Sequence, residues 1–121
     1  MGKHIMVVDD SKTMRDMVAF TLTGAGYQVS QAEDGQAGLT MLGTLAVDGV
    51  ITDLNMPKLD GLGLIKALRA NPKFKSTPIL MLTTESDPAK KTQGRDAGAT
   101  GWIVKPFAPE KLVDTLKKVG L

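Results

Sequence analysis

The sequence predicts an α/β fold in which a five-stranded parallel sheet carries helices on both faces. Three observations lead there. Five short apolar runs alternate along the chain with five amphipathic stretches. Four of the runs are continuously apolar, as strands covered on both faces are. Strand and helix follow one another without a break, the order that right-handed βαβ crossovers require. Five such units suit the doubly wound, flavodoxin-like strand order 2-1-3-4-5.

The first run is Ile5-Met6-Val7-Val8. Ser11 is placed to cap the first helix, which carries Met14, Val18 and Leu22 on one face and stops near Gly24 and Gly26. The segment from Tyr27 to Ala32 alternates, Tyr27 and Val29 against Gln28 and Ser30, which is the pattern of an edge strand. Asp34 is placed to cap a second helix with Ala37, Met41 and Leu45 spaced by four. Val50-Ile51 forms the third run. The third helix is expected from about Gly61 to Ala70, with Leu64, Ile65 and Leu68 inward and Pro72 just beyond its end. Ile79-Leu80-Met81-Leu82 is the fourth run. Asp87-Pro88 opens the fourth helix, a capping residue followed by proline at the first helical position. That helix is short and contains Gly94, so it is expected to be the least stable of the five. Trp102-Ile103-Val104 is the fifth run. The last helix starts at Pro109 and shows Leu112, Val113, Leu116 and Val119. No linker, repeat or low-complexity stretch interrupts the pattern, and residues 1–121 read as one domain.

Composition narrows the function. Hydrophobic residues make up 42% of 121, enough for one core without disulfides or a structural metal, and there is no cysteine. Fifteen basic and 13 acidic residues leave a net charge of +2. The basic residues are scattered, with no run longer than Lys90-Lys91 and Lys117-Lys118, so DNA or RNA is not an expected partner. No apolar run approaches the ~18 residues of a membrane span. His4 and Asp9-Asp10 interrupt any signal-peptide core, and position 6 lacks the Ser or Thr of a myristoylation site. A soluble, cytoplasmic protein is expected.

The chemistry sits at the strand ends. The first run ends in Asp9-Asp10, the third in Asp53, the fourth in Thr83-Thr84 and the fifth in Lys105-Pro106. In the expected fold these converge on one edge, with strands 1 and 3 adjacent. Each acid alone has a plain use as a turn or cap residue. Together they are an electrostatic problem: two like charges ~4 Å apart repel by about 4 kcal/mol at an effective dielectric near 20. A hard divalent cation bound by carboxylates and water offsets that, with Mg²⁺ the natural choice, and Lys105 offsets it further.

The stretches Met6-Val-Val-Asp-Asp-Ser11, Ile51-Thr-Asp-Leu-Asn-Met-Pro-Lys-Leu-Asp-Gly61, Leu80-Met-Leu-Thr-Thr-Glu85 and Ala97-Gly-Ala-Thr-Gly-Trp-Ile-Val-Lys-Pro-Phe107 resemble, in order and spacing over the whole chain, the receiver domain of two-component response regulators. The stand-alone chemotaxis type is the most similar. The resemblance implies that Asp53 is the phosphoacceptor for a phosphohistidine on a partner histidine kinase. It implies that Asp10 and Asp53 ligate Mg²⁺ directly, together with the backbone carbonyl of Asn55, and that Asp9 belongs to the metal site as part of the acidic pocket, often through water. Lys105 would pair with one phosphoryl oxygen and the Thr83 hydroxyl with another, helped by the Thr84 N–H. Asn55 and Glu85 would tune the lifetime of the phosphorylated state. The family holds the bond before Pro106 cis. One position departs from the chemotaxis pattern: Trp102 stands where a tyrosine is usual, at the aromatic that takes part in the switch. Trp102 is either drawn inward or held outward by its size.

The resemblance leaves the output open between a flagellar motor switch protein, a role as phosphate sink or relay, and another effector, with or without a phosphatase. Three rival readings are weaker. A phosphatase of the haloacid-dehalogenase type would carry its nucleophilic Asp after the first strand and add a cap domain. A scaffold that ignores phosphate would be expected to lack an acid or the lysine. A DNA-binding regulator would need an effector domain beyond the fifth helix. The favoured reading is not an enzyme, beyond catalysing its own phosphorylation and dephosphorylation.

Overall fold

A computed structural model describes residues 2–84 and 87–121. The strands are β1 (His4–Val8), β2 (Gln28–Ala32), β3 (Gly49–Thr52), β4 (Ile79–Thr83) and β5 (Gly101–Val104). The helices are α1 (Lys12–Gly24), α2 (Gly35–Leu42), α3 (Gly61–Arg69), α4 (Pro88–Ala97) and α5 (Pro109–Lys118). The five strands are parallel in the order β2-β1-β3-β4-β5. This is the expected doubly wound order, with β1 and β3 side by side.

Local chemistry starts the helices. The side chains of Ser11, Asp34 and Asp87 cap α1, α2 and α4 as expected, and Asp60, which the sequence reading did not single out, caps α3; each accepts a hydrogen bond from a backbone N–H in the first turn. Among the described residues α5 begins without a side-chain cap, and there Pro109 supplies the helical φ.

Strand alternation divides the core in two. Ile5, Val7, Ile51, Leu80 and Leu82 pack with Val18 and Leu22 of α1 and with Leu112 and Leu116 of α5. Met6, Val8, Val50, Ile79 and Met81 pack on the other face with Leu42 of α2 and Leu64, Ile65 and Leu68 of α3. Trp102 packs against this second cluster.

Two patterns in the sequence are corrected by the structure. The inward face of α2 runs through Gly35, Gly38 and Leu42, not through Met41, which is exposed, and Leu45 lies beyond the helix end. The small residues let the helix lie close on the sheet, with Gly38 against Val8, and an inward face made of glycine escapes a hydrophobic pattern. The fifth run is not a strand covered on both faces either. β5 is a sheet edge with Val104 41% exposed. The sequence also gave no sign of the 3-10 turn at Pro72–Phe74, which buries Phe74 in the second cluster.

Candidate functional site

Backbone ladders carry the key residues one step past the strands. The Asp9 N–H donates to the Ala32 carbonyl at 3.1 Å, the Asp53 N–H to Val8 at 2.9 Å and the Lys105 N–H to Thr83 at 2.9 Å. Asp9, Asp53 and Lys105 thus continue the alternation of the row facing α1 and α5, and their side chains meet. Lys105 Nζ donates to Asp9 Oδ2 at 2.6 Å and to Asp53 Oδ2 at 3.2 Å. The three side chains are 9%, 4% and 11% exposed respectively, so water screens the contacts little.

Each buried carboxylate is oriented through its second oxygen. Asp9 Oδ1 accepts from the Ser11 N–H at 2.9 Å, and Asp53 Oδ1 accepts from the Leu54 N–H at 2.7 Å. The backbone at Asp53 is pinned from two further sides. The buried Thr52 hydroxyl donates to the Asp53 carbonyl at 2.9 Å. The Gly61 N–H donates to the Leu54 carbonyl at 2.8 Å, and a Cβ on Gly61 would collide with the Asp53 carbonyl oxygen. The start of α3 therefore packs directly on the backbone that presents Asp53.

Asp10 is exposed at the mouth of this cluster, and one carboxylate oxygen from each of Asp9, Asp10 and Asp53 lies within 4.8 Å of the others. Oxygens around one octahedral Mg²⁺ at about 2.1 Å lie roughly 3–4.2 Å apart. The donor set is all oxygen and anionic, and a small side-chain rotation closes the remaining distance. The three acids fit Mg²⁺.

Burial, the largest influence, raises the Asp9 carboxyl above its ordinary value of 3.8, against the opposing bonds from Lys105 and Ser11. Burial would by itself lower the Lys105 ammonium. The bonds and charges of Asp9 and Asp53 together outweigh it and hold Lys105 above its ordinary 10.5. The two shifts differ in meaning. One ammonium shared by two acids is well satisfied, whereas Asp9 shares its cation and faces a second carboxylate.

Both shifts act in the same direction on stability. A raised folded-state pKa means the folded protein holds its proton longer than the unfolded chain. For Asp9 the stabilisation is full below 3.8 and is lost as pH rises through the higher folded value. For Lys105 it is full below 10.5 and is lost above that. Asp9→Asn is therefore expected to gain stability relative to wild type, without metal, as pH rises from the carboxylate range towards neutral. Urea unfolding in EDTA across that range measures it, and a constant difference would contradict the raised Asp9.

The structure brings Asp9, Asp10, Asp53 and Lys105 together. Thr83 is fully buried at the end of β4, tied to the group through its carbonyl; by alternation it continues the Ile79 and Met81 row on the opposite sheet face. Thr84 and Asn55 are exposed beside the site. Trp102 is half-buried against α4 on the face opposite Lys105. The Lys105–Pro106 bond is cis. Glu85 lies outside the described residues. Sequence reasoning missed Arg15, whose guanidinium donates to the Asp9 carbonyl at 2.6 Å and to Gln31 at 3.2 Å. A single arginine on a helix surface carries no mark of that contact.

A buried aspartate at the end of a central strand, sharing a lysine with a second acid next to a third, defines a receiver-type acidic pocket. The response regulator receiver domain model matches residues 5–117, and the chain belongs to that family. More narrowly, it is similar to the chemotaxis regulators of the family. It is 44% identical over 117 residues to the chemotaxis protein CheY1 of Helicobacter pylori, covering 95% of this chain and 94% of that one. The solved structure of chemotaxis protein CheY4 of Vibrio cholerae superposes with a TM-score of 0.94 at 47% identity, covering 98% and 99% of the two chains. The receiver domain of the Pseudomonas aeruginosa sensor histidine kinase PA1611, solved with a magnesium ion coordinated in its active site cleft, superposes with a TM-score of 0.91. At 24% identity that likeness concerns the fold.

Proposed function

We propose that this chain is a response regulator of two-component signalling, acting in chemotaxis, that is phosphorylated on Asp53 by a histidine kinase in a Mg²⁺-dependent reaction. The observation that carries this is the Asp53 carboxylate, fixed at one oxygen by the Leu54 N–H and paired at the other with Lys105. The chemotaxis assignment is supported by the similarity to CheY1 and CheY4.

In the proposed reaction an Asp53 carboxylate oxygen attacks phosphorus as the P–N bond of a phosphohistidine breaks. The leaving imidazole takes up a proton, and an acyl phosphate remains on Asp53. Such transfer needs positioning and charge neutralisation more than covalent chemistry. Lys105, already beside the Asp53 oxygen, pairs with the incoming phosphoryl group. Asp9, Asp10 and Asp53, with the Asn55 carbonyl, would hold Mg²⁺, which would supply positive charge to offset that of the phosphoryl group. Thr83 turns to a phosphoryl oxygen, and the backbone bond from Lys105 passes the displacement to the end of β5. Asn55, exposed beside the site, flanks the path of the water that later hydrolyses the acyl phosphate, and Glu85 is assigned to the same tuning of lifetime. The chain turns over no other substrate, and a partner phosphatase is an open addition.

Output runs through α4, β5 and α5, towards a flagellar motor switch protein or another effector. No described helix is long and apolar enough to cross a membrane. The proposed site of action is the cytoplasm, as for a partner of a histidine kinase.

Acetyl phosphate with Mg²⁺ is expected to add one phosphoryl group by intact mass, labile to hydroxylamine and absent from Asp53→Asn. Labelling that persists in this variant would move the site elsewhere.

A further inference from the structure

We infer that Gly94 and Trp102 are a matched pair whose fit sets the resting position of α4, and through it the response of this edge to phosphorylation; the second half rests on the function proposed for Asp53. Gly94 is the one buried residue of α4. A Cβ built on it would lie 3.0 Å from Trp102 Cζ3, 3.3 Å from Cε3 and 4.0 Å from Met81 Cγ. Both of those Trp102 atoms belong to the six-membered ring of the indole. Trp102 is also the register partner of Met81. The indole is therefore seated between the sheet and the bare backbone of the helix. Glycine inside a helix is ordinarily a cost relative to alanine, and here it supplies the space that the large aromatic needs.

Little else anchors the middle of α4, whose remaining residues are partly or fully exposed. Its far end is fixed. Arg69 Nε donates to the Gly98 carbonyl at 3.0 Å and Nη2 to Thr100 Oγ1 at 3.3 Å, while Nη1 donates to the Phe74 and Thr77 carbonyls, both at 2.7 Å. Its near end begins at Pro88, five positions after Thr83 in the chain. Beside the indole lies a cavity of about 250 Å³ lined by residues that include Thr92, Arg95 and Trp102 itself. It is the space into which the ring can be displaced.

Gly94→Ala tests the fit. The methyl group is expected to push the indole towards the cavity. The melting temperature falls instead of rising as it does for most helical Gly→Ala changes, and iodide quenching of the single tryptophan increases. In a Trp102→Tyr background, which removes the second ring, Gly94→Ala is expected to raise the melting temperature. Full labelling of Asp53 by acetyl phosphate is expected to persist in Gly94→Ala, with the accompanying emission change reduced at least twofold because the indole is already displaced. A Gly94→Ala melting shift of the same sign in both backgrounds overturns the fit. An unaltered emission change on phosphorylation overturns the coupling. If the wild-type chain takes no phosphoryl group, the function proposed for Asp53 falls and takes the coupling with it, while the melting and quenching results decide the fit alone.

Discussion

Replacing Lys105 by methionine is expected to destabilise the metal-free protein by about 3 kcal/mol at mildly alkaline pH. Methionine keeps the unbranched apolar stem and removes only the charge. What remains is two buried carboxylates whose shared ammonium, at 2.6 Å from one and 3.2 Å from the other, is gone. Breaking a buried ion pair by removing one partner costs about 3–5 kcal/mol. Two escapes set the lower end of that range. Asp9 already has a raised pKa and takes up a proton most easily, so the loss should shrink as pH falls. Mg²⁺ should also recover part of it. Urea unfolding in EDTA, at acidic and alkaline pH, reads all of this. A methionine variant as stable as wild type without metal would mean that Lys105 is not the charge holding the acids together.

The second large effect belongs to the metal. At a hundredfold excess over its dissociation constant, Mg²⁺ should stabilise the fold by about 2.7 kcal/mol. For a domain of this size that is roughly 10 °C in melting temperature. Asp10 is the informative position because it is exposed and makes no packing contribution that the substitution would disturb. Asp10→Asn should raise metal-free stability by less than about 1 kcal/mol, since an exposed charge is well screened. Its larger effect should be on the Mg²⁺ response, which loses one of three carboxylate ligands. A full-sized Mg²⁺ shift in Asp10→Asn would remove Asp10 from the metal site.

The strand ends were legible in the sequence for a simple physical reason. A polar residue directly after an apolar run must emerge at the end of a buried strand, and the parallel order brings those ends to one edge. The caps at Ser11, Asp34 and Asp87 were legible because they act within one helical turn. Features that depend on distant partners were not. The inward face of α2 escaped because it is made partly of glycine. The exposure of β5 depends on its place at the sheet edge, and an apolar run shows covering only when a neighbour exists on both sides. Arg15 and Arg69 make their contacts across 5 to 31 positions of sequence, and no local pattern marks them. The convergence of Asp9, Asp53 and Lys105 was expected, and Asp9 makes the shorter of the two contacts to the lysine, at 2.6 Å against 3.2 Å.

The anchoring of one end of α4 by Arg69 makes the helix a lever. Its 10 residues span about 15 Å at 1.5 Å per residue. A tilt of about 10° around the Gly98 end would carry the Pro88 end through roughly 2.6 Å but Gly94 through only about 1 Å, by the same rise per residue. The indole of Trp102 therefore sits nearer the anchored end, where a displacement of about 1 Å corresponds to roughly 2.6 Å at the Pro88 end. A ring placed there meters the stroke with high gain, and small changes in its size or seat are magnified on the surface that a partner would meet.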